Sequence, residues 1–269
     1  MATVLSRAKS LRVPRISLRA AWHVWERNAM VYKQRWMYAL LPNFFEPVFY
    51  LLGLGLGLGV YINEGGSFEG GYIPFIAPGL IAASAMNGAS FETTYNIFVK
   101  LNFAKLYDAM VATKANMEDI AVGEILWAMT RSLIYGGAFL LITLFFDIPL
   151  SHRLWFVPLA IVLVGFCFAS IGMAFSSLVR SIDLYTYYFT MFLTPSFLFS
   201  GIFFPVEERF PDFLVVVARA TPLYNAVELI RNIVLGQLET IWLHTLYLLL
   251  VGFVLSSFAV WQMRRRVIS

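Results

Sequence analysis

Apolar runs of roughly the length needed to cross a bilayer alternate along this chain with short polar segments. A spanning helix needs about 20 mostly apolar residues, and six segments approach that standard, over about 37–61, 73–98, 120–146, 155–179, 184–203 and 241–263. The last is stopped by Arg264, Arg265 and Arg266. Ahead of the first span the pattern is different. Residues 1–16 are basic and irregular, and 17–36 place Leu18, Ala21, Trp22, Trp25, Ala29 and Tyr32 at three- and four-residue steps between charged positions. A basic helix with one Trp-rich face is expected to lie in the membrane interface. Domain organisation follows: a basic tail and interfacial helix over 1–36, then one transmembrane domain over 37–269.

Two further segments break the pattern. Residues 99–118 are polar, and within them about 103–115 reads as a short amphipathic helix, with Leu106, Met110 and Thr113 on one side and Lys105 and Asp108 on another. A short helix exposed between two spans suits docking into a groove on a soluble partner; a plain connector reads the same way. Residues 204–240 scatter Pro205, Glu207, Glu208, Arg209, Pro211, Arg219, Pro222 and Arg231 among apolar stretches. Two half-helices dipping into the bilayer from one side account for that mixture. The glycine run Gly53-Leu-Gly-Leu-Gly-Leu-Gly59 puts two small-xxx-small pairs, Gly53/Gly57 and Gly55/Gly59, on adjacent helix faces, where backbones can approach closely.

Composition supports the membrane reading. The chain is 59% hydrophobic and only 13% charged, against about 25% charged in soluble domains, and its mean hydropathy is +0.72. The net charge of +4 is a topology signal rather than a nucleic-acid footprint, because the basic residues are unevenly placed. With the N-terminus inside, segments on the inner side hold 15 of the 20 Lys and Arg residues, as the positive-inside rule requires. Both termini are then expected in the cytoplasm. The first 36 residues carry eight basic side chains and no h-region, so targeting is expected to rest on the first span.

Candidate chemistry is sparse. The single cysteine, Cys167, and three scattered His residues offer no metal spacing and no disulfide framework. No Gly-Lys pair exists, so no Walker A loop can form, and no catalytic motif stands out. The chain reads as a non-enzyme; any nucleotide hydrolysis belongs to another chain. Four charges fall inside spans, where they are costly and functional candidates by default: Glu46, Glu92, Glu124 and Arg131. Glu124 and Arg131 lie two turns apart on one helix face, with Trp127 between them. They fit an inter-helix ion-pair cluster, or a polar lining for a head group or sugar with Trp127 as a stacking surface.

Several stretches together resemble the permease subunits of type-2 ABC exporters, in particular nodulation-factor (lipo-chitooligosaccharide) and polysaccharide export permeases. They are Phe75-Ile-Ala-Pro-Gly-Leu-Ile-Ala-Ala-Ser-Ala-Met86, Ser90-Phe-Glu-Thr-Thr-Tyr95, Tyr107-Asp-Ala-Met-Val-Ala-Thr113, Asp119-Ile-Ala-Val-Gly-Glu-Ile-Leu-Trp127, Phe199-Ser-Gly-Ile-Phe-Phe-Pro205 and Ala220-Thr-Pro-Leu-Tyr224. Asp108 stands where relatives carry Glu, and Lys114 where many carry Pro. The resemblance spans about residues 20–265. It implies an all-α polytopic protein of the bacterial inner membrane that pairs with a second permease copy and two ABC ATPase subunits, which bind the ATP and Mg. It also implies that Leu106, Tyr107, Asp108, Ala109, Met110 and Thr113 form the ATPase-coupling helix, and that Pro205, Pro222 and Tyr224 belong to an outer re-entrant gate. The implied cargo is a glycolipid, lipo-oligosaccharide, polysaccharide or related amphiphile. Drug efflux by the same family, or a non-transporting membrane scaffold, are the competing readings.

Overall fold

The computed structural model describes residues 16–34, 36–37, 45, 48–59, 71–113, 115–146, 152–236 and 239–268. All regular structure among these residues is helical. In chain order the elements are α1 (Leu18–Gln34), α2 (Tyr72–Phe103), α3 (Leu106–Val111), α4 (Met117–Thr143), α5 (Arg153–Leu178), α6 (182–198), α7 (Val206–Arg209), α8 (Asp212–Arg219), α9 (Pro222–Leu235) and α10 (Ile241–Ile268). Four of them, α2, α4, α5 and α10, are long and apolar enough to cross a membrane. The predicted fifth span falls on α6, a 17-residue run of short helical pieces that is not among these four and stops at Leu198, ahead of Gly201 with φ of 76°. Much of the predicted first span lies outside the described residues. Its described part carries a run of widened helical turns over Leu51–Leu58. There a Cβ on Gly55 would come within 2.7 Å of Ile73 on α2, whereas Gly53 and Gly57 face open space. One of the two small-residue pairs therefore meets a neighbouring helix.

The core is the contact of α2, α4 and α5, with α9 packed mainly on α2 and α10 mainly on α5. Apolar burial does not by itself hold helices together in lipid, so close approach and inter-helix hydrogen bonds take over. Both are present. Gly165 on α5 lets Ser132 of α4 approach so closely that any Cβ there would lie 2.6 Å from the serine Cβ. Ser132 Oγ in turn donates to the Ala85 carbonyl of α2 at 2.6 Å, and Ser176 Oγ of α5 donates to the Thr93 carbonyl at 2.6 Å.

Helix α1 packs on the first half of α4. It buries Ala21, Val24 and Asn28, holds Trp25 and Tyr32 half-buried against α4, and leaves Leu18 and Trp22 exposed. The reason is Gly123, which has no side chain to keep the Ala21 carbonyl and Val24 away. Asp119 locks this corner. It is fully buried, and its two oxygens accept the backbone N–H groups of Ser17 at 2.6 Å and Asn116 at 3.0 Å, capping the entry of both helices.

The 204–240 region contains the short helix α7 and then α8 and α9, which meet at 81°. Its local sequence explains the corner. Thr221 caps α9 by accepting from the Tyr224 N–H, Pro222 occupies the first turn, and Gly236 ends the helix in the left-handed region. Asn225 Nδ2 donates to the carbonyls of Arg219 and Thr221, and Tyr247 of α10 donates to that of Ala220.

Candidate functional site

A buried charge cluster lies where α1, α2 and α4 meet. Its first member is Glu92, in a stretch of α2 where five residues, Glu92–Asn96, form a widened turn. Such turns free carbonyls that must be satisfied inside a membrane, and Thr93 and Thr94 back-bond to Ala89 and Ser90. Glu92 then accepts from Asn96 at 2.9 Å and from Lys100 at 3.4 Å, two turns further along the same helix.

Lys100 bridges the two helices. Its ammonium lies 2.7 Å from Glu124 Oε2 on α4, which also accepts from Asn28 of α1 at 3.0 Å. Arg131, two turns beyond Glu124, lies with Nε 3.6 Å from Glu92 Oε2. Its guanidinium donates to Tyr135 at 2.8 Å and sits 4.4 Å from the Tyr32 ring centroid. Two carboxylates thus face two cations, so the cluster is charge-balanced. Trp127 is buried, with Trp25 and Tyr32 of α1 edge-on to its ring. Glu46 lies outside the described residues.

The structure therefore brings together Glu92, Glu124, Trp127 and Arg131 from the sequence reading, and adds Lys100, Asn28 and Tyr32. In the sequence Lys100 falls in the polar 99–118 segment, where its charge marks a span end. The signal available was its eight-residue spacing from Glu92, which places both on one face of a continued helix.

Directly below the cluster the chain turns through Lys105, whose φ of 46° is in the left-handed region. This reversal lets α3 fold back and insert Tyr107 into the bundle, where it is fully buried. Burial first, and the neighbouring Glu124 carboxylate second, push the Tyr107 phenol well above its usual range. Its hydroxyl and Glu124 Oε1 are both buried without a well-formed hydrogen bond. Leu106 and Met110 are half-buried beside it, while Asp108, Ala109 and Thr113 are exposed. The short helix is anchored by one aromatic side chain and turns a small, mixed surface outward.

The cluster reaches an exposed face through Asn96. Along that face α2 and α6 carry a ring ladder: Tyr95 stacks on Phe189 at 5.4 Å and touches Tyr185 at 5.3 Å, and Phe91 lies 4.8 Å from Phe189. Tyr187, Thr190, Met191 and Thr194 of α6 are exposed.

At the opposite end of the bundle, Pro205 precedes α7 and Pro222 opens α9. The buried Tyr224 donates to Glu207 Oε1 at 3.0 Å. Arg219 donates twice to the same oxygen, at 3.1 and 2.5 Å, and that pairing holds the Glu207 carboxyl below its ordinary range. Arg231 of α9 donates to Glu228 and to the Gly201 carbonyl and stacks 4.4 Å from the Phe75 ring. Among the described residues no group of His, Cys, Asp and Glu is arranged to hold a metal ion.

Comparison with known proteins gives this arrangement a family. The profile of the ABC-2 type transporter family matches residues 19–235. The chain is 36% identical over 214 residues to Nodulation protein J of Rhizobium leguminosarum bv. trifolii, covering 80% of each protein. It is 35% identical over 236 residues to Nodulation protein J of Neorhizobium galegae, covering 86% of this chain and 89% of that one. A more distant relative is the Inner membrane transport permease YadH of Escherichia coli K12, at 24% identity over 245 residues. The chain belongs to the ABC-2 type transporter family, as a membrane permease.

Proposed function

We propose that this permease is the transmembrane half of an ATP-driven exporter that moves a lipo-oligosaccharide, or a related glycolipid or polysaccharide, out across the bacterial inner membrane. Two permease copies form the pathway, and two ABC ATPase subunits bind and hydrolyse ATP outside this chain. Both termini lie in the cytoplasm. Helix α3 is the coupling helix: Asp108, Ala109, Met110 and Thr113 meet the ATPase, while Leu106 and Tyr107 hold the helix to the bundle. The bent α8–α9 pair, with Pro205, Pro222 and Tyr224, is re-entrant and closes the outer end.

The observation that carries this reading is the seating of Tyr107 under Glu124. A six-residue helix has little stability of its own. One that buries a single tyrosine against an inter-helix charge cluster can pass displacement to α2 and α4. The cluster is incompletely satisfied: Tyr32 Oη, Arg131 Nε and NH1 and Glu124 Oε1 all lack hydrogen bonds. An unpaired polar group is costly in so low a dielectric, so a displacement that lets these atoms pair would be favoured. The ring ladder of α2 and α6, with hydroxyls and an amide beside it, offers stacking surfaces and hydrogen bonds, the two contacts a sugar chain with a lipid tail requires. The Nodulation protein J relatives agree with the resemblance to nodulation-factor export permeases, from which that cargo class comes.

Purification of tagged permease from native membranes tests the proposal. A stoichiometric second subunit that hydrolyses ATP is expected in the eluate. A pure permease with no nucleotide-hydrolysing partner overturns it.

A further inference from the structure

Asn28 is the one buried polar side chain of α1. Its amide is oriented from both sides. A carboxylate only accepts, so Glu124 Oε2 takes the Nδ2 hydrogen at 3.0 Å. A guanidinium only donates, so Arg27 gives its hydrogen to Oδ1, also at 3.0 Å. Asn28 thereby turns the docking of α1 on α4 into a hold on a single oxygen. Lys100 holds the same oxygen at 2.7 Å. The other oxygen, Oε1, is buried and unpaired, and so is the hydroxyl of Tyr107 beside it. Helices α1 and α3 each pack on α4 and make no extended contact with each other. What joins them is this carboxylate, gripped on one oxygen from α1 and approached on the other from α3.

We propose that Asn28 is a positioning residue that withholds Glu124 from Tyr107, so that α1 and the Tyr107 hydroxyl compete for one carboxylate. With α1 docked, Asn28 and Lys100 turn the carboxylate so that Oε1 and the hydroxyl stay unpaired, and α3 is held by the Tyr107 ring alone. When Asn28 lets go, the carboxylate turns on its terminal torsion, which is a broad two-fold rotor, and accepts from the Tyr107 hydroxyl. That bond has a charged acceptor and is stronger than a neutral one. It also removes the cost of two buried polar atoms standing unpaired. Helix α3 is then locked to α4. Docking of α1 and locking of α3 oppose each other through two discrete arrangements of one side chain, which is the physical requirement for coupling between sites. The functional consequence rests on the reading of α3 as the coupling helix: a docked α1 leaves that helix free to move, and release of α1 acts as a brake.

Hydrogen–deuterium exchange of the purified permease in detergent tests this with no partner present. Asn28→Leu keeps the branched shape and removes the donor. It is expected to slow exchange of the amides over 106–113 about fivefold, as one added hydrogen bond of ordinary strength does. The Asn28→Leu/Tyr107→Phe double variant is expected to return them to the wild-type rate. Unchanged or faster exchange of α3 in Asn28→Leu overturns the proposal, because an asparagine that only packs α1 loosens its surroundings when it is lost. Slowing that persists without the hydroxyl overturns it as well. Should Asn28→Leu fail to fold, Asn28→Ser, whose hydroxyl stops short of Glu124, replaces it with the same expectations. In the complex with the ATPase, Asn28→Leu should lower cargo-stimulated hydrolysis and Tyr107→Phe should restore it. Slowed exchange with hydrolysis unchanged would support the competition for Glu124 and remove α3 from the coupling role.

Discussion

The Lys100 ammonium lies 2.7 Å from Glu124 Oε2, joining α2 to α4 across 24 residues of sequence through a contact almost closed to solvent. In the low dielectric of a helix bundle, an ion pair of this kind is worth little relative to a well-packed apolar pair. Removing one partner is another matter, because it strands the other charge. Lys100→Met should therefore cost about 3 kcal/mol, read as an earlier midpoint of thermal unfolding in detergent. Combining it with Glu124→Gln should recover more than 1 kcal/mol of that loss in a double-mutant cycle. Strict additivity would show that the two groups are not coupled.

Tyr107 separates anchoring from docking. Tyr107→Phe keeps the ring and removes a hydroxyl that has no well-formed hydrogen bond, so ATPase co-purification and transport should stay near wild type. Tyr107→Ala leaves a cavity where large aromatic truncations cost about 3–5 kcal/mol, and it should release α3 and abolish stimulation of ATP hydrolysis by cargo. Asp108→Lys, on the exposed side, should instead lower co-purifying ATPase about tenfold while leaving the thermal midpoint unchanged. If Asp108→Lys destabilises the permease and Tyr107→Ala does not, the roles of the two residues are reversed.

Gly123 fixes the position of α1. An added Cβ would lie 2.6 Å from both the Ala21 carbonyl oxygen and the Val24 Cβ. Backbone cannot move aside as a flexible side chain can, so Gly123→Val should cost about 1–3 kcal/mol and push α1 away from α4. The measurement is the fluorescence of Trp25, whose Nε1 donates to Thr130 at 2.9 Å. A red shift is expected, and an unchanged spectrum would show that α1 tolerates the bulk.

Acid should loosen the α7–α8 corner. Glu207 is held ionised by Arg219, so its folded-state pKa is depressed. The stability it contributes is present above the unfolded carboxylate pKa and is lost as pH falls through the lowered folded value. Both side chains are more than half exposed, so solvent screening keeps the effect small. Proteolytic nicking near Arg209 and Arg219 should rise below the ordinary carboxylate range, and Glu207→Gln should remove that pH dependence. Identical acid profiles for both proteins would rule out Glu207 as the group responsible.

Hydropathy made α4, α5 and α10 legible, because an uninterrupted apolar run has few other uses. Their starts and ends differ from expectation by only a few residues, α10 excepted, which continues through its arginines to Ile268. The short α3 and the broken 204–240 region were legible for a similar reason, since each interrupts the hydropathy with turn chemistry. Less visible was the continuation of α2 to Phe103. Lys100 and Asn102 look like the end of a span until Glu124, on another helix, offsets the charge. The buried face of α1 was legible only in part. Ala21, Trp25 and Tyr32 of its apolar stripe meet α4, but Leu18 and Trp22 of the same stripe do not, because the contact is chosen by a glycine on α4. In both cases the deciding partner lies far along the chain, and local periodicity carries no information about it.

The most direct test of the exporter reading is transport itself. Inverted membrane vesicles containing the permease and its ATPase partner would be given a labelled lipo-chitooligosaccharide, with and without ATP. ATP-dependent accumulation inside the vesicles, lost in Tyr107→Ala and preserved in Tyr107→Phe, is the predicted result. Vesicles that hydrolyse ATP through the complex yet accumulate no cargo above the level without nucleotide would contradict it.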